Sequence, residues 1–378
     1  MKGSAAASAA IPGYDLLMRI LPVVVFVCLA GAPHIAAQKP TPAQLSRAGW
    51  SALDAGRVPE ALAAFEAALR LDPQQPPVLL GAGIAAHLQG RADEARRFLV
   101  DALKLHPGLT EASLVLGAVL YQGGDIDGAI DAYQQALAHT PDHVRIVQQL
   151  AAWRKEAALH SGFGRKLANH FTVLFEGPAE AQLAERAVAI LEAAYLRIGT
   201  TLYTYPTEVI TVVLYTREQF RDITQSPEWA GGAFDGRIRM PVQGALADAA
   251  EFGRVLTHEF THALVHSIAG RGVPFWLDEG LAVRFESMDP GRGRARLRAL
   301  GASPRLERLE RSFAGLSAEE ASAAYAVSAA AVDRMFDAAG APAVVSVLEA
   351  IGSGVPFAEA FERHMSMGYT EFQKTFGG

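Results

Sequence analysis

Apolar positions in the first half of the chain recur at helical spacing, and the whole pattern returns every 34 residues. Under that shift Gly49, Gly83 and Gly117 coincide, as do Gly56, Gly90 and Gly124. Phe65, Leu99 and Tyr133 form a column of large side chains between two alanine columns (Ala61, Ala95, Ala129; Ala68, Ala102, Ala136), and Pro73, Pro107 and Pro141 close each copy. Small residues let two helices approach, the large residue fills the gap between them, glycine supplies positive φ in the turn, and proline stops the second helix. The stretch 144–162, with Trp153 in its core face, reads as a helix that caps the stack. From about residue 165 the texture changes. Strands are expected at 170–177, 208–216 and 231–242, and helices at 179–202, from Arg217, and at about 247–269, the last ended by Gly-Arg-Gly. Residues 300–378 are helical by pattern, and this mixture of elements indicates an α+β unit.

The 34-residue period with these columns resembles the tetratricopeptide repeat (TPR), a helix–turn–helix unit. Such units bury their faces only by stacking, which produces a solenoid with a concave surface. The resemblance implies a groove for a protein partner or, alternatively, a spacer that orients the next domain.

Composition narrows the function classes. With 34 basic against 40 acidic residues, the net charge is −6, so the chain has no basic field for phosphate backbones and no nucleic-acid partner is expected. The basic stretch 291–300 is short and followed by Glu307 and Glu310, which marks a solvated face. Near the start, Arg19, an apolar run and small residues ending in Ala36-Ala37 read as a secretory leader over residues 1–37, with Met18 as the better start. A periplasmic or secreted protein with no membrane span after leader removal is the expectation. The single cysteine, Cys28, leaves with that segment, so no disulfide or thiol chemistry is expected.

Candidate chemistry lies in "LTHEFTHALVHS", residues 256–267. His258 and His262, four apart on a helix, share one face, so their imidazoles can converge on one zinc ion. Glu259 lies about 100° around the helix from His258, where it can take the proton of an attacking water and pass it to a leaving group. His266 is one turn too far from His258 to share an ion and is expected to pack. Seventeen residues after His262, Glu279 in "VPFWLDEGLAVRFES" offers a third ligand from a second helix, with Asp278 its weaker neighbour.

"HEFTH" followed by "WLDEGLA" resembles the gluzincin metallopeptidases, in particular the peptidase MA-like domains that often follow TPR repeats. The resemblance covers residues 168–290 and, more loosely, the remainder. It implies Zn2+ held by His258, His262 and Glu279, catalysis by Glu259, Asp278 set behind a histidine, and an edge strand within 231–242 that pairs with extended substrate. Tyr325, in a Tyr-x-x-Ser segment, matches the family's oxyanion-stabilising position, ahead of His364 and Tyr369. The aminopeptidase G-x-M-E-N segment is not matched, because "GGAFDG" offers only Asp235.

The fold expected is an α-helical TPR solenoid over 43–162 followed by an α+β zincin-like metallopeptidase domain over 165–378. The function expected is exported, zinc-dependent hydrolysis of peptide bonds, with a peptide or protein substrate and a TPR module for docking. A TPR scaffold whose peptidase-like domain is silent is the alternative. A purely structural zinc is disfavoured by the absence of cysteine from the mature chain.

Overall fold

The computed structural model describes residues 39–225, 231–242, 248–287, 292–298, 304–313 and 315–376; the expected leader lies outside the described residues. Seven helices come first: α1 (Pro42–Asp54), α2 (Val58–Leu71), α3 (Pro76–Leu88), α4 (Ala92–Leu105), α5 (Thr110–Gln122), α6 (Ile126–His139) and α7 (Val144–His160). The first six pair off in three copies of one packing arrangement. A Cβ on Gly49 would lie 2.6 Å from the Phe65 ring; on Gly83, 2.7 Å from Leu99; on Gly117, 2.5 Å from Tyr133. Each large residue thus occupies the space its glycine leaves. Gly56, Gly90 and Gly124 hold φ of 72°, 73° and 88° in the turns, where a side chain would be strained. Trp153 on α7 stacks on Tyr121 and tilts against Tyr133, closing the apolar interior of the third pair.

Next come β1 (Phe163–Leu167), β2 (Phe171–Glu176), α8 (Ala181–Leu202), β3 (Ile210–Tyr215), α9 (Arg217–Thr224), β4 (Ala233–Phe234) and β5 (Ile238–Pro241). The sheet order is β1-β2-β3-β5-β4, with β2, β3 and β5 parallel and the outer strands β1 and β4 antiparallel to their neighbours. Alternation along the strands serves two cores. Val212 and Leu214 face the larger core with α8, whereas Val213 and Tyr215 meet Phe220 of α9 and Leu159 of α7 on the other face. The last helix of the repeat stack is therefore part of the sheet's own packing.

Two expectations are revised here. Residues 231–242 form a hairpin, β4–β5, with Gly236 at φ 99° in its turn, and β4 is the outer strand. The pattern suggests one continuous strand because both arms of so short a hairpin alternate alike. β1 adds a strand that the pattern does not predict, since the polar Arg165 and Lys166 interrupt its apolar positions.

The helices α10 (Ala249–Ala269), α11 (Phe275–Phe285), α12 (Arg292–Arg298), α13 (Ala318–Gly352), α14 (Phe357–His364) and α15 (Tyr369–Lys374) complete the chain, so the C-terminal part is mostly helical around its sheet. α13 is long and apolar enough to cross a membrane by length and composition, which corrects the expectation that the chain beyond its leader holds no such run. Gly340 (φ 77°) breaks it into two segments, and it packs on α11 and α10 with Tyr325, Val327, Val332 and Met335 in the core.

The repeat stack meets the sheet through charge. Glu156 of α7, Arg237 and Arg239 of the β4–β5 hairpin and Asp235 are all buried. Arg239 donates to Glu156 Oε1 (2.8 Å), Asp235 (3.1 Å) and the Tyr215 hydroxyl (2.7 Å), and Arg237 donates to Glu156 (3.1 Å) and the Tyr121 carbonyl (2.6 Å). Burial would raise the Glu156 carboxyl, but Arg239 and Arg237 hold it below the usual carboxylate range. Asp235, the sequence candidate for capturing a substrate amine, is consumed by Arg239. Substituting Glu156→Gln leaves two buried guanidiniums undercompensated, and chemical denaturation is expected to show a loss of about 3–5 kcal/mol. A change below about 1 kcal/mol would show that this junction does not contribute to the fold.

Candidate metal centre

The site is built where α10 crosses α11. α10 starts at Asp248, whose side chain accepts from the Glu251 backbone N–H, and it is buried on nearly every side from Phe252 to Val265. His258 and His262 therefore stand on a buried face with ring centroids 4.9 Å apart. α11 brings Glu279 across from them: Glu279 Oε2 lies 3.3 Å from His258 Nε2 and 3.6 Å from His262 Nε2. One ligand atom from each of the three lies within 4.8 Å of the others, a spacing that three donors around one divalent ion require.

Each histidine is held from behind by a carboxylate. His258 Nδ1 lies 2.9 Å from Glu286 Oε2, and His262 Nδ1 lies 3.0 Å from Asp278 Oδ1. That arrangement turns both Nε2 atoms toward Glu279, the orientation in which an imidazole ligates through Nε2 with Nδ1 facing a carboxylate. Arg254 steadies Glu286 in turn (2.6 Å) while its other nitrogens hold Glu251. Glu286 and Arg254 escape a reading of the sequence alone, although Glu286 stands seven residues, two helical turns, after Glu279 and so on the same side of α11.

Burial lowers the pKa of both histidines, but the facing carboxylates outweigh it. Glu279 and Glu286 raise His258 to about 10, and Asp278 and Glu279 raise His262 to about 9. The Glu259 carboxyl is pushed up by burial, partly opposed by His262 and His258. A Cβ on Gly232 would lie 2.8 Å from Glu259 Oε1, so the backbone leading into β4 passes directly beside this carboxylate.

Six donor and acceptor atoms of these four side chains are buried without a hydrogen-bond partner: Nε2 of His258 and His262 and both carboxylate oxygens of Glu259 and Glu279. Each such atom costs about 1–3 kcal/mol unless something satisfies it. The donor set is two neutral-capable imidazoles and a carboxylate, with Glu259 beside them, and it fits zinc or a similar divalent ion.

Tyr325 joins the same point from α13. Its hydroxyl is buried and unpartnered, and burial, then the charges of Glu279 and Glu259, push its pKa far up, so it keeps its proton as a donor. What brings it there is Gly280, where a Cβ would stand 2.4 Å from the Ser328 carbonyl. The missing side chain lets α11 touch the α13 backbone one turn from Tyr325 and one residue from Glu279. The other candidates lie elsewhere. His266 packs on the Phe234 ring, His364 is exposed, and the Tyr369 hydroxyl donates to Glu310 (2.7 Å) while accepting from Trp276 (3.2 Å) in the core.

Comparison with known proteins reaches the repeats. Tetratricopeptide-repeat family models match residues 46–109 and 86–153, and the chain carries TPR repeats there. Protein CTR9 homolog of Arabidopsis thaliana is 28% identical over 163 residues, which cover 38% of this chain and 15% of that protein. The chain thus matches a small part of that relative's length. Among solved structures, the first TPR of Spaghetti (RPAP3) bound to an HSP90 peptide is 19% identical, covering 31% of this chain and 94% of that one, with a TM-score of 0.31. The Sgt2 TPR domain from Aspergillus fumigatus is also 19% identical, covering 36% and 93%, with a TM-score of 0.31.

Replacing Gly280 by alanine forces α11 off α13, a backbone contact that cannot yield by rotamer change. A loss of roughly 1–3 kcal/mol is expected in thermal or chemical unfolding, together with weaker divalent-metal binding by calorimetry. Unchanged stability and metal affinity would refute the close-approach role.

Proposed function

We propose that this chain is a metal-dependent peptidase whose TPR stack binds polypeptide beside the reacting site, and that it acts outside the cytoplasm, as the leader-like segment suggests. The observation that carries the reading is the group of six buried, unpartnered atoms on His258, His262, Glu279 and Glu259. His258, His262 and Glu279 would hold the ion, with zinc favoured by two imidazoles and one carboxylate. When bound, such an ion supplies a Lewis acid that polarises a carbonyl and acidifies water.

The chain's own residues account for the remaining roles. Glu259, dry and with its carboxyl pushed up by burial, accepts a proton from the attacking water and returns it to the departing amine. Tyr325 keeps its hydroxyl proton and offers it to the oxygen that gains charge as the carbonyl is attacked. The outer edge of β4 presents backbone to an extended polypeptide, and Gly232 lets that backbone run against Glu259. Glu286 and Asp278 hold the two imidazoles in place.

A second reading is favoured by the family matches, which reach only the repeats: a protein-binding scaffold with a silent C-terminal part. A silent domain has no need of Glu259, a fully buried carboxylate that ligates nothing in the chain. Metal analysis of purified protein separates the two. The peptidase reading expects about one zinc per chain, and zinc lost in Glu279→Ala. In Glu259→Ala the zinc is retained while peptide hydrolysis falls by a factor of roughly 100 or more. Wild-type protein that takes up no divalent metal on reconstitution would leave the scaffold reading standing.

A proton count gives an independent check. At about pH 7.5 the metal-free His258 and His262 are protonated, since carboxylates raise them to about 10 and about 9. Ligation needs both neutral, so binding is expected to release about two protons, and affinity must fall as pH is lowered. Calorimetry in buffers of different ionisation enthalpy reads that number directly; a value near zero would show that the metal-free imidazoles are already neutral at that pH.

A further inference from the structure

A cleft of about 240 Å³ opens beside the metal centre, between the repeat stack and the sheet. It begins one residue beyond Ala233 on β4, at Phe234, and one residue beyond His262 on α10, at Ala263. Its far wall is the α3–α4 turn, with His87 and Gln89, and Arg271 closes it from the end of α10. The two walls are in fixed contact. A Cβ on Gly270 would lie 3.8 Å from the Gly90 nitrogen, and one on Gly236 would lie 3.1 Å from the Gln122 carbonyl.

The chemistry of this cleft is one-sided. His87 Nε2 and Gln89 Nε2 are buried without a hydrogen-bond partner. His87 is 8% exposed and held neutral, its pKa lowered to about 4 by burial and then by the nearby Arg271 and His266. A neutral imidazole and an amide nitrogen both have an N–H to give, and the Arg271 guanidinium adds charge with a planar fork. Among the described residues Glu208 is the one carboxylate on the lining, and it is exposed at the mouth, where water screens it. An extended chain paired on β4 advances about 3.3 Å per residue, and Phe234 of β4 itself lines this space.

We infer that this cleft is a subsite for a carboxylate of the bound polypeptide, supplied by its C-terminus or by an Asp or Glu side chain. The inference rests on the reading of β4 as the strand on which polypeptide lies. It gives the repeat stack a direct part in selecting what is held at the metal centre, through the α3–α4 turn and not through a separate docking event.

The test uses the full-length, metal-loaded Glu259→Ala protein, immobilised so that peptides are held and not cut. A random decapeptide mixture is offered twice, once with free C-terminal acids and once with amides, and retained peptides are read by mass spectrometry. Retention at least about tenfold better for the acids identifies the C-terminus as the source. The same preference for Asp or Glu at one position in both mixtures identifies a side chain. In either case Arg271→Gln, and separately Gln89→Leu, is expected to abolish the bias while leaving the melting curve in place. Retention without an acidic bias, a bias that survives both substitutions, or no retention of any peptide overturns the inference. Wild-type protein in the same mixtures keeps the two readings apart. Cleavage without acidic bias removes the subsite and spares the peptidase; an acidic bias without cleavage spares the subsite and removes the peptidase.

Discussion

One carboxylate removed from water holds the two parts of this chain in a single arrangement. Glu156 ends the repeat stack, and the guanidiniums of Arg237 and Arg239 close on it, so its charge is offset only when stack and sheet are docked. Desolvating three charges is expensive, and their mutual attraction returns that energy only in good geometry. The consequence is directional more than energetic. β5 is fixed by Glu156, β4 is fixed by β5, and the Gly232 backbone is thereby set against Glu259. The surroundings of the Glu259 carboxylate thus depend on a contact made by a repeat helix.

The candidate metal centre obeys the opposite rule. Its polar atoms are buried and left unsatisfied by the chain, while Glu286, Asp278 and Arg254 stand immediately behind them. Side chains placed in this way before anything binds cost a ligand little binding energy in ordering them. Gly280 shows how backbone spacing enters the same design. By letting α11 lie on the Ser328 carbonyl it brings Glu279 and Tyr325 together from separate helices.

Much of this is legible in the sequence where the signal is local or periodic. The three repeat columns translate directly into Gly49 under Phe65, Gly83 under Leu99 and Gly117 under Tyr133. His258 and His262 are readable because four residues on a helix fix their separation. Glu279 needs the resemblance of its surrounding residues to a family, since nothing in its spacing says which helix it faces. Glu286 and Arg254 are illegible, because their meaning is a contact between helices, made by residues 28 and 32 positions apart. The β4–β5 hairpin reads as one strand, and its arginines, which composition places on a surface, are among the most buried side chains in the chain. Burial of a charge depends on its partner, and the partner of Arg237 and Arg239 lies 81 and 83 residues earlier.

That ordering along the chain has a consequence for assembly. The repeats are made first, and helical pairs with local contacts form quickly. Residues 237 and 239 follow Glu156 and Tyr121 in the chain, so the most costly charges of the sheet meet a counter-charge that is made before them. The reverse order would leave two arginines seeking partners in an unformed hydrophobic core. The solenoid thus stands to the rest of the chain as a template made before it, carrying the counter-charge that Arg237 and Arg239 require.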